Sequence, residues 1–458
     1  MTTSKNNTGQ VREIALEVLM EVLEKGGYSH KVLGQALTKY QYLEKQDRAF
    51  LSRLCEGTIE RAIELDYIIN QFSKVKVKKQ KPVIRNILRM AVYQIKYMDS
   101  VPESAACNEA VKLANKKGFR TLKGFVNGVL RNVARNLDTI TYPEEAKEPV
   151  KYLSIVYSMP EWIVEHYLSQ YDKQTVKAML ERFQESKETT VRTNQLKMTA
   201  EELKAALEAE GVTVKAAEYL PYAYYISNYN YLGKLDTFRK GYFQVQDESS
   251  MLVGEIADVK ENDVVIDVCA APGGKSLHVA EKLKNTGMVY SRDLTYDKTS
   301  LIEDNAIRLG INNITIQTMD ALELDKESLG KADVIICDLP CSGLGVIGKK
   351  PDIKYKVTKE QLSELAALQK EILKVVTQYV KPGGTLIYST CTINKAENEE
   401  NMRFIEKELG FTLESINEYL PESLHSETTK EGYLQLLPGI HHTDGFFISR
   451  LKNTKECI

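Results

Sequence analysis

Two cysteines lie where short apolar runs of the chain end. One follows Val334 to Cys337 in Asp338-Leu-Pro-Cys-Ser-Gly343, and the other follows Thr385 to Ser389 in Tyr388-Ser-Thr-Cys-Thr-Ile393. A thiolate can add to an electron-poor carbon and leave again, which divides one difficult step into easier ones. That chemistry suits a pyrimidine ring. Its carbon 5 has no lone pair with which to take a methyl group, whereas a thiolate added at carbon 6 makes carbon 5 the nucleophilic end of an enamine. Asp338, protonated or as a hydrogen-bond partner at ring nitrogen 3, would stabilise such an adduct. Loss of the carbon 5 proton and release of the enzyme then need assistance, so Cys341 and Cys391 both have work to do, and spacing alone leaves open which one attacks. Taken singly, a free cysteine defaults to a small buried hydrophobe, and Cys55, Cys107, Cys337 and Cys457 are read that way. No C-x2-C pair or cysteine–histidine cluster accompanies them, so no metal is expected.

The donor of the methyl group is sought at a glycine-rich turn. A strand over Val264 to Val268 runs into Asp267-Val-Cys-Ala-Ala-Pro-Gly-Gly-Lys275, and a helix follows from Ser276. Cys269, Ala270, Ala271, Pro272, Gly273, Gly274 and Lys275 offer backbone without bulk at a helix N-terminus, where a ligand can approach closely. The turn is neither a dinucleotide G-x-G-x-x-G nor a phosphate-binding Walker loop. Asp293 stands 19 residues after Gly274 at the end of the next strand, near the offset at which an acid reaches ribose hydroxyls. Asp320, after the third strand, would accept a hydrogen bond from an adenine amino group. Methyltransferases acting on exocyclic amines carry an Asp/Asn-Pro-Pro-aromatic motif where this chain has Asp338-Leu-Pro-Cys341. Cysteine in the aromatic position points back to carbon 5.

These residues need a scaffold, and 458 residues supply more than one domain. Val11, Ile14, Ala15, Val18, Leu19 and Val22 share one helical face, and the same period recurs through residues 31 to 71 and 84 to 98, which predicts an all-α bundle over 1–140. That stretch carries 24 Lys and Arg against 14 Asp and Glu, whereas the whole chain has a net charge of −2. The run Lys74-Val-Lys-Val-Lys-Lys-Gln-Lys81, with Lys112, Lys116, Lys117, Arg120, Lys123, Arg131 and Arg135, forms a surface suited to phosphates. Prolines and charges near Thr141-Tyr-Pro143 mark a linker. A small α/β module is expected over 141–240, with a helix from Asp172 to Phe183, a strand from Thr189 to Asn194 and a helix entered at Thr199 with Glu202 as its capping-box partner. From Gly241 to the end, short apolar strands alternate with amphipathic helices, as in a doubly wound α/β, Rossmann-like domain. Its strands are placed at Val264 to Val268, Met288 to Arg292, Ile314 to Gln317, Val334 to Cys337 and Thr385 to Ser389. Ligands bind such sheets beyond the carboxyl ends of the strands, where every motif above lies. Residues Met1 to Gln10 lack the apolar stretch of a signal peptide, no apolar run is long enough to span a bilayer, and seven scattered cysteines do not form a disulfide framework. A cytoplasmic protein is expected.

Two sets of motifs resemble known families. Val101-Pro-Glu-Ser-Ala-Ala-Cys-Asn-Glu-Ala-Val-Lys112 and Gly124-Phe-Val-Asn-Gly-Val-Leu-Arg-Asn132 resemble the NusB-like helical RNA-binding domain. The cofactor turn and both cysteine motifs resemble the Sun/RsmB family of ribosomal RNA cytosine-5 methyltransferases. So do Gln244-Val-Gln-Asp-Glu-Ser-Ser250, Gly345-Val-Ile-Gly-Lys-Lys-Pro-Asp-Ile353, Gln435-Leu-Leu-Pro438 and Thr443-Asp-Gly-Phe-Phe-Ile448. The resemblance implies S-adenosyl-L-methionine as cofactor and a cytosine of 16S ribosomal RNA as substrate. Naked RNA and an early assembly particle both stay open as the form of that substrate, and, apart from the resemblance, a monomer is expected. It makes Cys391 the nucleophile and Cys341 the residue that assists release, although the Pro-Cys cysteine attacks in DNA cytosine-5 enzymes and would by itself favour Cys341. Residues Cys269 to Lys275, with Asp293, Asp320 and Asp338, would line the cofactor site. The chain departs from the pattern at Ser276, where threonine is common, and at Gly348, in a stretch usually more basic. Transfer RNA as substrate, or a non-catalytic assembly factor, are the competing expectations; intact Asp338, Cys341 and Cys391 oppose the latter.

Overall fold

The computed structural model describes residues 4–185 and 188–454, with backbone only for 4–8; Cys457 lies outside them, as do residues 1–3. The chain forms two compact units, one of residues 1–185 with Ile347–Lys356 and one of the remainder.

The first unit is helical. Helices α1 (Ser4–Lys25), α2 (Ser29–Lys39), α3 (Lys45–Glu60), α4 (Ala62–Phe72), α5 (Pro82–Tyr97), α6 (Glu103–Lys116) and α7 (Lys123–Arg135) form a bundle. The apolar stripe of α1 faces inward as its period requires: Val11, Ile14, Ala15, Val18, Leu19 and Val22 are all buried against Leu51, Leu54, Ile87 and Ala91. Helices α8 (Pro149–Val156), α9 (Glu161–Leu168) and α10 (Lys173–Phe183) follow, and compactness groups them with the bundle. Ser158 Oγ accepts the Ile63 amide at 2.9 Å, at the start of α4, where the first amides of a helix have no partner within it. Asp172 caps α10 by accepting the amides of Gln174 and Thr175. Segment Ile347–Lys356 is threaded into the same unit. Lys354 Nζ donates to the Glu60 carbonyl at 2.7 Å and Tyr355 Oη to the Ile59 carbonyl at 2.8 Å, both in the last turn of α3. Lys356 Nζ donates to the Gly27 carbonyl at 2.9 Å, and Ser29 at the start of α2 donates to Asp352.

The second unit holds two sheets. Strands β1 (Thr189–Thr193), β2 (Thr213–Ala216), β3 (Ala223–Ser227) and β4 (Phe243–Val245) form an antiparallel sheet in the order β2-β3-β1-β4, with helices α11 (Ala200–Ala209) and α12 (Asp236–Arg239). The Thr199–Glu202 capping box opens α11 as expected. Strand β4 pairs with β1, so the residues just after Gly241 complete this small sheet.

The larger sheet follows α13 (Glu248–Ala257). Its elements are β5 (Val264–Asp267), α14 (Gly274–Lys282), β6 (Met288–Asp293), α15 (Tyr296–Leu309), β7 (Ile314–Thr318) and β8 (Ala332–Asp338). After α16 (Ile353–Lys356), the last turn of the threaded segment, come α17 (Lys359–Val376), β9 (Val380–Thr390), α18 (Glu399–Leu409), β10 (Phe411–Leu413), α19 (Glu427–Glu431), β11 (Tyr433–Leu436) and β12 (Phe446–Asn453). The order is β10-β12-β9-β8-β5-β6-β7, with β11 also on β12. Strands β5 to β9 are parallel and are the five expected from sequence, whereas β10, β11 and β12 are antiparallel additions. The chain runs outward from β5 through β6 to β7, then crosses back to β8. The crevice at such a reversal lies at the carboxyl ends of β5 and β8, where ligands bind. The interior strands read as continuous apolar runs because helices cover both faces.

Candidate active site

Each functional side chain is delivered by a strand end or by the turn after it. Strand β8 ends on Asp338, and the turn after it carries Cys341; strand β9 ends on Thr390, and Cys391 follows at once. Parallel pairing of Asp338 with Ser389 sets the two turns side by side. The two sulfurs are 3.3 Å apart, in residues that keep some exposure, whereas Cys55, Cys107 and Cys337 are buried. Cys341 is held as a thiol, well above the ordinary range, by the hydrogen bond it shares with the Cys391 sulfur, by surroundings that exclude most water, and because Cys391, Glu397 and Asp338 present negative charge to it.

Lys275 closes the site from the other side. Its ammonium donates to Asp338 Oδ2 at 2.7 Å and lies 5.1 Å from the centre of the Phe446 ring. Burial works against its charge, yet Asp338, Asp267 and Cys391 outweigh it and hold the ammonium above its ordinary value. Ser389 Oγ donates to Asp338 Oδ1 at 2.9 Å, so both carboxylate oxygens are engaged.

The glycine-rich turn lies across the ends of β5 and β6. Ala270 N donates to the Arg292 carbonyl at 2.8 Å, and Ala271 N to Asp293 Oδ2 at 2.9 Å. Asp293 Oδ1 accepts Leu294 N at 2.7 Å and Lys298 Nζ at 2.9 Å, so this acid also fixes the loop after its own strand. Gly273 has φ of 99° and caps α14; a Cβ there would come within 3.0 Å of Leu277 Cδ1 and 3.1 Å of Ile302 Cγ2. Asp320 Oδ1 accepts Leu322 N at 2.9 Å. Asp267 is fully buried, and burial pushes its pKa up to about 7 against the hydrogen bond from Ser276; its Oδ1 atom has no partner among the described residues.

Glu397, Asn398 and Gln369, which were not read from sequence, tie together residues of the motifs that were. Glu397 Oε2 accepts Ser342 N at 2.8 Å and Gln369 Nε2 at 3.2 Å, while Oε1 accepts Ser342 Oγ at 2.5 Å and Asn394 Nδ2 at 2.9 Å. Asn398 links Thr390 Oγ1, the Thr392 carbonyl and Gln435. Gly345 N donates to the Cys391 carbonyl at 3.1 Å, and Gly445 N to the Gly345 carbonyl at 2.9 Å. The available signal was the polar run Asn394-Lys-Ala-Glu-Asn398 soon after Cys391, which composition alone classes as a loop.

Comparison with known proteins gives the family and its domains. Residues 255–452 match the family model for 16S rRNA methyltransferase RsmB/F, residues 9–135 the NusB family, and residues 159–230 the ferredoxin-like domain of RsmF/B-like methyltransferases. The probable ribosomal RNA small subunit methyltransferase B of Bacillus subtilis is 37% identical over 445 residues, covering 96% of this chain and 98% of the relative. The chain belongs to the RsmB family. The crystal structure of PH0851 has a TM-score of 0.81 at 26% identity, covering 97% of this chain and 98% of that one. NSun6 from Pyrococcus horikoshii, solved with SFG, has a TM-score of 0.59 at 25% identity, covering 66% of this chain and all of its own.

As an RsmB-family member the protein is an S-adenosylmethionine-dependent methyltransferase with a NusB helical domain, a ferredoxin-like small domain and a methyltransferase domain. The residues fit a cationic cofactor. Asp267, Asp293, Asp320 and Asp338 stand at the ends of β5, β6, β7 and β8, around a turn with little side-chain bulk, and the buried unpartnered oxygen of Asp267 is an acceptor in want of a donor. Among the described residues no His, Cys, Asp and Glu cluster could hold a metal ion, and no helix is long and apolar enough to cross a membrane.

Proposed function

We propose that this RsmB-family enzyme methylates carbon 5 of a cytosine in 16S ribosomal RNA through a covalent adduct between Cys391 Sγ and carbon 6. The observation that carries the proposal is the 3.3 Å thiol pair beside the Lys275–Asp338 ion pair. Of the two sulfurs, Cys391 has the Lys275 ammonium nearby and Cys341 is the one held as a thiol, so Cys391 would accept the hydrogen bond they share, carry negative charge and attack. This favours the roles implied by the family over those of the DNA enzymes. As carbon 6 bonds to sulfur, electrons move toward ring nitrogen 3, where the Lys275–Asp338 pair would donate a proton or hydrogen bond. Bound S-adenosylmethionine supplies a sulfonium-activated methyl group to carbon 5; Cys269 to Lys275, Asp293 and Asp320 would hold it. Once Cys391 is a thioether it no longer presents charge to Cys341, which is then freer to give its proton to solvent and, as a thiolate, to take the one from carbon 5. That transfer restores the aromatic ring and expels the Cys391 thiolate.

Residues 1–140 would hold the RNA, 141–240 link, and 241–458 catalyse, in a monomer acting in the cytoplasm on naked RNA or an early assembly particle. The test is to incubate the protein with labelled S-adenosylmethionine and unmodified small-subunit RNA, digest the RNA and identify the labelled nucleoside. Expected are label in 5-methylcytidine, its loss in Cys391→Ala, and a denaturation-resistant protein–RNA complex in Cys341→Ala. A complex trapped by Cys391→Ala instead would exchange the roles, and label on any other base would overturn the proposal.

A further inference from the structure

The Glu397 carboxylate is completely buried, and its partners among the described residues are four neutral donors with no cation among them. Burying a carboxylate without a counter-charge is costly unless hydrogen bonds compensate it, so its position calls for a reason. Its donors supply one. Ser342, whose amide and hydroxyl both reach Glu397, directly follows Cys341. Gln369 of α17 donates to Glu397 and, at 2.8 Å, to the carbonyl of Pro340, which directly precedes Cys341. Ser342 Oγ also lies 2.8 Å from Thr392 Oγ1, next to Cys391. The Cys341 turn is thus gripped on both sides by one buried acid and its glutamine partner, and among the described residues neither hydrogen-bonds to a thiol. The Cys391 turn has an additional hold, the hydrogen bond from Gly345 to its carbonyl.

We infer that Glu397 is a positioning residue for Cys341, and that its removal impairs the release of methylated RNA more than the formation of the covalent adduct. The inference rests on the cysteine roles proposed above. Oε1 now accepts from Ser342 Oγ and Asn394, and Oε2 from Ser342 N and Gln369. A glutamine with its oxygen at Oε2 would keep the latter two, but its NH2 would oppose Asn394 and make Ser342 Oγ reverse from donor to acceptor, which loosens the hold on the turn.

The test compares the full-length protein with Glu397→Gln, Ser342→Ala and Cys341→Ala, using labelled S-adenosylmethionine and unmodified small-subunit RNA. The readouts are the first methyl transfer in a single turnover, the steady-state rate, and the denaturation-resistant protein–RNA complex. Glu397→Gln is expected to lose about tenfold or more in steady-state rate, to lose less in the first transfer, and to accumulate the complex as Cys341→Ala does. Ser342→Ala removes one of the four donors, should shift all three readouts the same way more weakly, and carries the comparison if Glu397→Gln does not fold. If Cys341→Ala accumulates the complex while both other variants lose first transfer and turnover together without it, Glu397 is a structural acid only and the inference fails. If Cys341→Ala accumulates no complex, the cysteine roles fail and this inference with them.

Discussion

Lys275 stands among Asp338, Asp267 and Cys391, and in the mechanism proposed above its ion pair with Asp338 faces the ring nitrogen that gains charge. Replacing it with methionine keeps the stem and removes the charge. We expect Lys275→Met to lower the first methyl transfer by about 10²–10³, as when one preorganised electrostatic donor is removed, with RNA binding in a gel-shift assay much less affected. An equal loss in both would show that Lys275 serves folding or RNA contact. Asp267 makes the opposite prediction for stability. Its folded pKa, pushed up to about 7 by burial, lies above its unfolded value, so the unfolded chain ionises first and stability is lost as pH rises from about 4 to about 7. Asp267→Asn keeps the acceptor for Ser276 and cannot ionise. Its thermal stability without cofactor should match the parent near pH 4 and exceed it above pH 7, by at most about 4 kcal/mol from three pH units. A difference that does not vary with pH would rule out ionisation as its source.

The strands and turns that carry these residues tolerate little change. Gly345 and Gly445 lie back to back between the two cysteine turns: a Cβ on Gly345 would fall 2.0 Å from the Gly445 carbonyl oxygen and 2.9 Å from that of Cys391. Those are backbone atoms and cannot swing aside, so the β9–β12 end must open. Gly345→Ala is expected to destabilise the protein by about 1–3 kcal/mol and to abolish adduct formation, read by thermal melting and by the trapped complex. Full activity would mean that the loop relaxes without moving Cys391. The antiparallel strand β12 is what makes this contact possible, since it runs beside β9 and brings Gly445 to the end where Cys391 leaves the sheet.

Charge is divided along the chain as sharply as chemistry is. The helical domain carries the surplus of Lys and Arg. On α7 and its approach Arg120, Lys123, Arg131 and Arg135 are exposed and make no ion pair among the described residues, whereas Lys112, Lys116 and Lys117 are paired with Glu109, Glu13 and Glu17. The four cations of α7 and its approach are therefore the better phosphate ligands. Changing all four to alanine should raise the KM for RNA while leaving the rate at saturating RNA near that of the parent. The slope of log affinity against log salt should fall by roughly 0.7–0.9 for each phosphate that is no longer neutralised. An unchanged slope would assign RNA binding to another surface.

Much of this was legible in the order of residues. Periodicity found the bundle because a helix must turn one stripe inward, and apolar runs found the five parallel strands because a sheet covered on both faces has no polar side. Asp338, Cys341, Cys391 and the glycine-rich turn were recognisable because each is chemistry attached to a strand end. What local pattern could not contain was contact between distant segments. The Gly345–Ile353 stretch stood out only as a family motif, yet its end and the three residues after it supply carbonyl-capping donors and a ring to the helical bundle, about 300 residues earlier in the chain. No motif singled out Glu397, and only the meeting of two turns and α17 makes it a buried acceptor of four hydrogen bonds. The same holds for the thiols. Sequence puts 50 residues between Cys341 and Cys391, and it is the parallel pairing of β8 with β9 that brings their sulfurs within 3.3 Å and makes one the proton donor of the other.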